Sequence, residues 1–230
     1  MNTIKIIIHG TGTMSSILKS FAEAEEDLEV SGFADDLTNE KGDIIIDFSH
    51  FSRIPNMLNF AVNNNIPIVI CTTGYDDKIL SQIKEASSKI PILLSSNTSI
   101  GINLMNDLVS KMAENLNGFD IEIIDKKVDS PSGTAKTLFN AINQTLENKM
   151  NLINGREGNH KRDKNEIGIH SIRGGSVVGE HRVIFYGDDE AIEIKHSAMS
   201  KKIFVHGAIK AAKFLIGKKP NLYGMKDVLS

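Results

Sequence analysis

The first hundred residues alternate two hydrophobic patterns. Short apolar, β-branched runs recur at Ile4–Ile8, Val30–Ala34, Ile44–Phe48, Ile66–Cys71 and Ile92–Leu94. Between them, apolar positions at helical spacing occupy Met14–Ala24, Ser52–Asn63 and Asp77–Ser88. Strands that alternate with helices build βαβ units and a parallel sheet. Several runs are apolar throughout, as strands are when both faces of their sheet are covered. After Asn97 the rhythm changes. A helix is predicted over Ile102–Leu116, a strand over Ile121–Ile124 and a further helix opening at Ser132. The polar stretch from Asn148 to Asn165 reads as a long exposed loop. IGIHSIRGG, EHRVIFYG and AIEIKHSA follow as strand-like runs separated by Gly-rich or Asp-Asp turns, which predicts an antiparallel or mixed sheet. IFVHGAIKAAKFLI then places Ile203, His206, Gly207, Ile209, Lys210, Ala212 and Phe214 in helical register. The expected fold class is α/β. A Rossmann-type parallel-sheet domain spans residues 1–100 and is completed by 202–230; an inserted α+β mixed-sheet domain spans 101–201.

Composition narrows the function classes. A chain of 230 residues has length for one large or two modest domains. A formal net charge of -3 gives no reason to expect nucleic acid or an anionic membrane as partner. The single cysteine, Cys71, rules out an internal disulfide and fits a reducing compartment. TIKIIIHG follows the first residues with no basic targeting region, and no apolar run approaches the roughly 18 residues of a membrane span. The expectation is a soluble, cytoplasmic protein.

The front motif carries the first chemistry. Gly10-x-Gly12 lies between a strand and a helix, the context of a dinucleotide-binding turn. Gly10 would make the tight turn and Gly12 would admit a pyrophosphate to the backbone. The third glycine of the fingerprint falls at Ser15, which is small but weakens the match. Asp35 and Asp36 close the second strand, where an acid hydrogen-bonds ribose hydroxyls and repels a 2′-phosphate, so NADH is favoured over NADPH. DFS (Asp47–Ser49), CTTG (Cys71–Gly74) and SSNTSIGIN (Ser95–Asn103) sit at the carboxyl ends of further strands, where open α/β sheets bind ligands. On the glycine pair alone, a turn in an α/β protein that binds no nucleotide stays open. Cys71 reads as a small core residue rather than a nucleophile. Seven histidines show no ligand spacing, so no metal is expected; His181 and His196, on strands, read as structural or rim residues.

A second anion site is written into VDSPSGTAKTLFNAI, where Pro-Ser-Gly-Thr precedes an apolar helical pattern. Such a start offers unpaired backbone N–H groups and two hydroxyls to an anion. Read alone, Ser132 and Thr134 could equally cap a helix.

GTGTM, DFS, CTTG, SNTSIGIN, KVDSPSGTA, GREG, EIGIHSIRGGSVVGEH and HSAMSKKIFVHGA, spread over nearly the whole chain, together resemble the 4-hydroxy-tetrahydrodipicolinate reductase (dihydrodipicolinate reductase) family. The resemblance implies an NAD(P)H-dependent oxidoreductase that reduces a small cyclic dicarboxylate in lysine and diaminopimelate biosynthesis. It implies a homotetramer built by the second sheet, with domain closure about hinges near Asn97–Gly101 and Met199–Lys201. Residue by residue, it places the cofactor on Gly10, Gly12, Thr13, Met14, Asp35, Phe48, Thr73, Ser96, Asn97 and Lys201, the last standing where the family usually has Arg. It places a substrate carboxylate on Ser132, Gly133 and Thr134. Lys127 becomes the substrate-binding and catalytic residue, able to donate the proton that accompanies hydride delivery. The chain departs from the family at one point. The family normally carries E-x-H-H-x-x-K ahead of this lysine, whereas DIEIIDKKVDSPSG has no histidine and a shortened loop. Protonation then falls to Lys127, Lys126 or water. Two rivals stay open on this ground: a catalytically weak, cofactor-binding paralogue with a regulatory role, and a reductase of another small dicarboxylate.

Overall fold

The computed structural model describes residues 3–126, 132–159 and 161–230. The chain separates into two compact units, one formed by Met1–Ile100 with Lys202–Ser230 and the other by Gly101–Lys201. The first unit runs β1 (Ile4–His9), α1 (Thr13–Ala22), β2 (Leu28–Ala34), β3 (Ile44–Asp47), α2 (Ile54–Asn64), β4 (Ile68–Ile70), α3 (Asp77–Ser87) and β5 (Pro91–Leu94). The second contains α4 (Ile100–Asn115), β6 (Asp120–Lys126), α5 (Gly133–Thr145), β7 (Asn151–Asn154), β8 (Glu166–Ile172), β9 (Gly179–Tyr186) and β10 (Ala191–Ala198). The chain then returns to the first unit as α6 (Lys202–Leu215), β11 (Asn221–Tyr223) and α7 (Met225–Leu229).

The strands of the first unit pair in parallel in the order β11-β5-β4-β3-β1-β2. Alternation along β1 explains its unbroken apolar run. Ile6 and Ile8 enter a core shared with Leu18 and Ala22 of α1 and Val205, Ala208 and Leu215 of α6. Ile7 enters a separate core with Met57 and Ala61 of α2 and Ile83 of α3. Both faces are covered, so no polar alternation is required. Gly207 lets α6 lie directly on the chain after β5: an added Cβ there would overlap the Thr98 carbonyl. The Thr98 hydroxyl donates to the Phe204 carbonyl at 2.7 Å and fastens the same contact.

The second unit has a mixed sheet in the order β10-β9-β6-β8-β7. β6 pairs in parallel with β8 and antiparallel with β9. Ile121, Ile123, Ile167, Ile169, Val183 and Phe185 form one face and share a core with Ile102, Met105 and Val109 of α4 and Leu138 and Ile142 of α5.

Two sequence expectations need correction. Residues 148–165 are not all loop, because β7 lies within them and pairs in parallel with β8, Asn151 opposite Glu166. Its asparagines are exposed and its apolar pair only half-buried, so the strand is set by main-chain pairing rather than by an apolar pattern. Beyond the lysines at 218–219 the apolar pattern predicts no element, yet β11 and α7 lie there. β11 is three residues long and extends the sheet beside β5, while Met225 and Val228 of α7 join the first core.

Candidate active site

In the first unit, hydrogen bonds lace together the carboxyl ends of five parallel strands. Gly10 N donates to the Ala34 carbonyl at 2.8 Å, and Phe48 N to the His9 carbonyl at 3.0 Å. The Thr72 hydroxyl donates to the Ser49 carbonyl at 3.0 Å, and Ser95 N to the Ile70 carbonyl at 3.0 Å. β2 lies on one side of β1 and β3 on the other, so the chain reverses direction across this edge, where open α/β sheets hold ligands. Gly10, Gly12, Thr13, Met14, Asp35, Phe48, Thr73, Ser96 and Asn97 all stand on the segments leaving these strands. Thr73 and Ser96 are exposed, and Phe48 is half-buried against the core.

The turn after β1 needs its glycines for different reasons. Gly10 has φ +106°, and an added Cβ would come within 2.9 Å of the Ser49 backbone. Gly12 is extended and stands at the N-cap of α1, which has no side-chain cap among the described residues. Its Cβ position meets nothing within 4 Å and borders a cavity of about 870 Å³ with Thr11, Thr13 and Ser16. By contrast, α3 is capped by the Asp76 carboxylate, which accepts from Ile79 N at 2.9 Å. An α1 start with bare backbone and N–H groups that no side chain caps fits a pyrophosphate. Ser15, in place of the third glycine, is fully buried, and its hydroxyl finds no partner among the described residues.

At the end of β2, the Asp35 carboxylate accepts from the Thr11 hydroxyl at 2.7 Å. Two further residues reach the Asp35 carbonyl, one buried and one at the surface. His9 is buried, with Nδ1 2.8 Å from the Asp47 carboxylate and Nε2 3.0 Å from the Asp35 carbonyl. Arg53, in a 3-10 turn over Phe51–Arg53, donates to the same carbonyl at 2.9 Å. Neither role has a local sequence signal, since positions 9, 35, 47 and 53 meet only through the strand order. Burial pushes the Cys71 thiol up, and the Asp47 charge adds to this, which leaves it a poor nucleophile.

In the second unit, Ser132 caps α5. Its buried hydroxyl accepts from Ala135 N at 3.2 Å and lies 3.2 Å from His181 Nε2. Gly133, the first helical residue, is exposed, with nothing within 4 Å of its Cβ position; Thr134 is largely buried. The Ser132 oxygen is thus engaged within the unit, at the first turn of α5 and at His181. Lys127, Asp129 and Pro131 lie outside the described residues. The strand leading to Lys127 is firmly held. Asp125 is fully buried, accepting from the Ser171 hydroxyl at 2.7 Å and from Arg173 Nη2 at 3.2 Å. Lys201 is exposed at the end of this unit.

GREG and IGIHS meet at Glu122. His170 Nε2 lies 2.7 Å from one of its oxygens and Arg156 Nη2 2.6 Å from the other. Gly168 leaves room for this carboxylate, which a Cβ there would overlap. Burial raises the Glu122 carboxyl, but hydrogen bonds from His170 and Arg156 outweigh it and the net direction is down.

On the opposite face of the sheet, His196 stands across from His181 on the neighbouring strand, and burial lowers it below the ordinary histidine value. Unfolding therefore takes up a proton as pH falls through the ordinary histidine range, and stability present above that range is lost below it. Melting temperatures at pH 8 and pH 5.5 should differ less for His196→Gln than for the wild type. An equal difference in the two proteins would show that His196 does not set this slope.

Family models match most of the chain: "Dihydrodipicolinate reductase, N-terminus" over residues 33–98 and "Dihydrodipicolinate reductase, C-terminus" over residues 101–229. The chain is 68% identical to a 4-hydroxy-tetrahydrodipicolinate reductase of Brachyspira hyodysenteriae, over 99% of this chain and 100% of that one. It is 45% identical to the 4-hydroxy-tetrahydrodipicolinate reductase of Caldanaerobacter subterraneus, over 98% of both chains. Among solved structures, a dipicolinate-bound dihydrodipicolinate reductase from Paenisporosarcina has the same fold, with TM-score 0.80 at 21% identity over 98% of this chain and 99% of that one. Bare α1, the capped start of α5 and the motifs that converge on Glu122 thus belong to a chain that is a member of the 4-hydroxy-tetrahydrodipicolinate reductase family.

Proposed function

We propose that this chain reduces 4-hydroxy-tetrahydrodipicolinate to tetrahydrodipicolinate with NAD(P)H, a step of lysine and diaminopimelate biosynthesis, and that it favours NADH. The observation that carries this is the start of α1, without a side-chain cap and bare at Gly12, in a member of this reductase family. Gly10, Gly12, Thr13 and Met14 would hold the pyrophosphate, and Asp35 the adenosine ribose. Phe48, Thr73, Ser96 and Asn97 would flank the nicotinamide, which when bound supplies hydride. Lys201 would offer a point charge to the phosphates. In the second unit, the backbone of Gly133 and Thr134 would grip one substrate carboxylate, with Ser132 fixing the helix start. Lys127 would bind the substrate and deliver the proton.

The finer assignments rest on weaker supports. A cytoplasmic location accords with a lone, half-buried cysteine and with described helices too short or polar to cross a membrane. Homotetramer formation through the second sheet accords with exposed Ile172 and Tyr186 on the face opposite its core. Size measurement in solution tests that assembly.

Oxidation of NADH, followed with freshly generated 4-hydroxy-tetrahydrodipicolinate, tests the activity. Turnover that depends on this dicarboxylate is expected. Tight NADH binding without turnover would replace the proposal by a regulatory paralogue or by another dicarboxylate, the readings that the shortened loop favours. The cofactor site is tested separately by Gly12→Val. A Cβ there meets nothing within 4 Å, so the fold should persist, while NADH affinity should fall about tenfold or more, roughly 1.4 kcal/mol. Unchanged affinity in a folded variant would remove Gly12 from the site.

A further inference from the structure

Arg53 stands over the acidic end of β2. Its Nη1 donates to the Asp35 carbonyl at 2.9 Å and lies 3.1 Å from the Asp36 carboxylate, while Nη2 is 3.9 Å from Asp35 Oδ2. Asp35 does not depend on this arginine for its position. Its carbonyl also faces His9 Nε2, its carboxylate accepts from Thr11, and Gly10 N ties the preceding Ala34 to the turn. Asp36 is different. Its side chain is 75% exposed, and Arg53 is the cation that pairs with it among the described residues. Exposed pairs of this kind open readily, because water compensates both partners.

Two opposed preferences thus meet at one place. A fixed carboxylate accepts hydrogen bonds from ribose hydroxyls and repels a phosphate. A planar guanidinium beside it matches the oxygens of a phosphate in fork geometry. We propose that Arg53 is a specificity-determining residue that reads the adenosine 2′ position: it neutralises Asp36 while a 2′-hydroxyl is bound, and turns to a 2′-phosphate when one is present. The site then accepts NADPH as well as NADH, and NADPH depends on Arg53. This rests on the dinucleotide site proposed above.

Binding of NADH and NADPH to the full chain, measured by titration calorimetry, tests it. Arg53→Gln should weaken NADPH by about tenfold or more and NADH by no more than about threefold. Arg53→Lys, which keeps the charge but loses the fork, should fall between wild type and Arg53→Gln for NADPH. Raising salt should weaken NADPH more than NADH in the wild type, and this excess should disappear in Arg53→Gln. Equal loss of both cofactors, or undiminished NADPH binding in a folded Arg53→Gln, overturns the proposal. If Arg53→Gln does not fold, the Arg53→Lys ratio of NADPH to NADH affinity decides: a ratio equal to wild type overturns it. A folded wild type that binds neither cofactor would fail the dinucleotide reading itself, and this inference with it.

Discussion

Lys127→Ala should lower kcat/KM for the cyclic dicarboxylate by about 10²–10⁴-fold, the usual cost of losing a positioned proton donor. The flanks explain why so much falls on one residue. β6 ends at Lys126, with Asp125 fastened by Ser171 and Arg173, and α5 begins at Gly133 under its Ser132 cap. From Lys126 to Ser132 the sequence supplies two lysines, one aspartate and no histidine. On the proposed role, a lysine here would have two tasks that separate kinetically. As a cation it would bind a carboxylate, an effect carried by KM; as an ammonium donor it would supply a proton in the transition state, an effect carried by kcat. Lys127→Arg keeps the charge but does not release a proton near neutrality, so it should recover KM far more than kcat. Turnover within a few-fold of wild type in Lys127→Ala would shift the donor to Lys126 or water.

Gly207→Ala should destabilise the protein by about 3 kcal/mol or more, at the upper end of overpacking effects. At about 2–4 °C per kcal/mol for a chain of this length, the melting temperature should fall by roughly 10 °C. The added methyl would collide with a carbonyl of the backbone, which cannot rotate away as a side chain can. It would also push Phe204 from the Thr98 hydroxyl and loosen Val205 and Ala208 from the isoleucines of β1 and β3. A change of less than about 1 kcal/mol would mean that α6 can shift at little cost, contrary to the packing density of a protein interior.

The sequence carries some of these features locally and others not at all. Ile6, Ile7 and Ile8 announce a strand buried on both faces, because only such a strand can be apolar at every position. Ser132 announces a cap because its acceptor and the donor at Ala135 lie one helical turn apart. Its contact with His181 is 49 residues away in sequence and appears only when β9 is placed beside β6. The clamp around Asp35 is illegible for the same reason: His9 and Arg53 reach it through neighbours in the sheet. β7 and β11 escape pattern reading because three or four residues held by main-chain hydrogen bonds leave no period to detect.

The return of Lys202–Ser230 to the first unit bears on how the chain matures during synthesis. β1 is made long before α6, so the core around Ile6 and Ile8 lacks Val205, Ala208, Ala212 and Leu215 until α6 leaves the ribosome. Residues 101–201, contiguous in sequence, contain every strand and helix of their own core. The unit in the middle of the chain can therefore close before the one that begins it. Until α6 arrives, the growing polypeptide carries an apolar sheet face that a chaperone would be expected to shield.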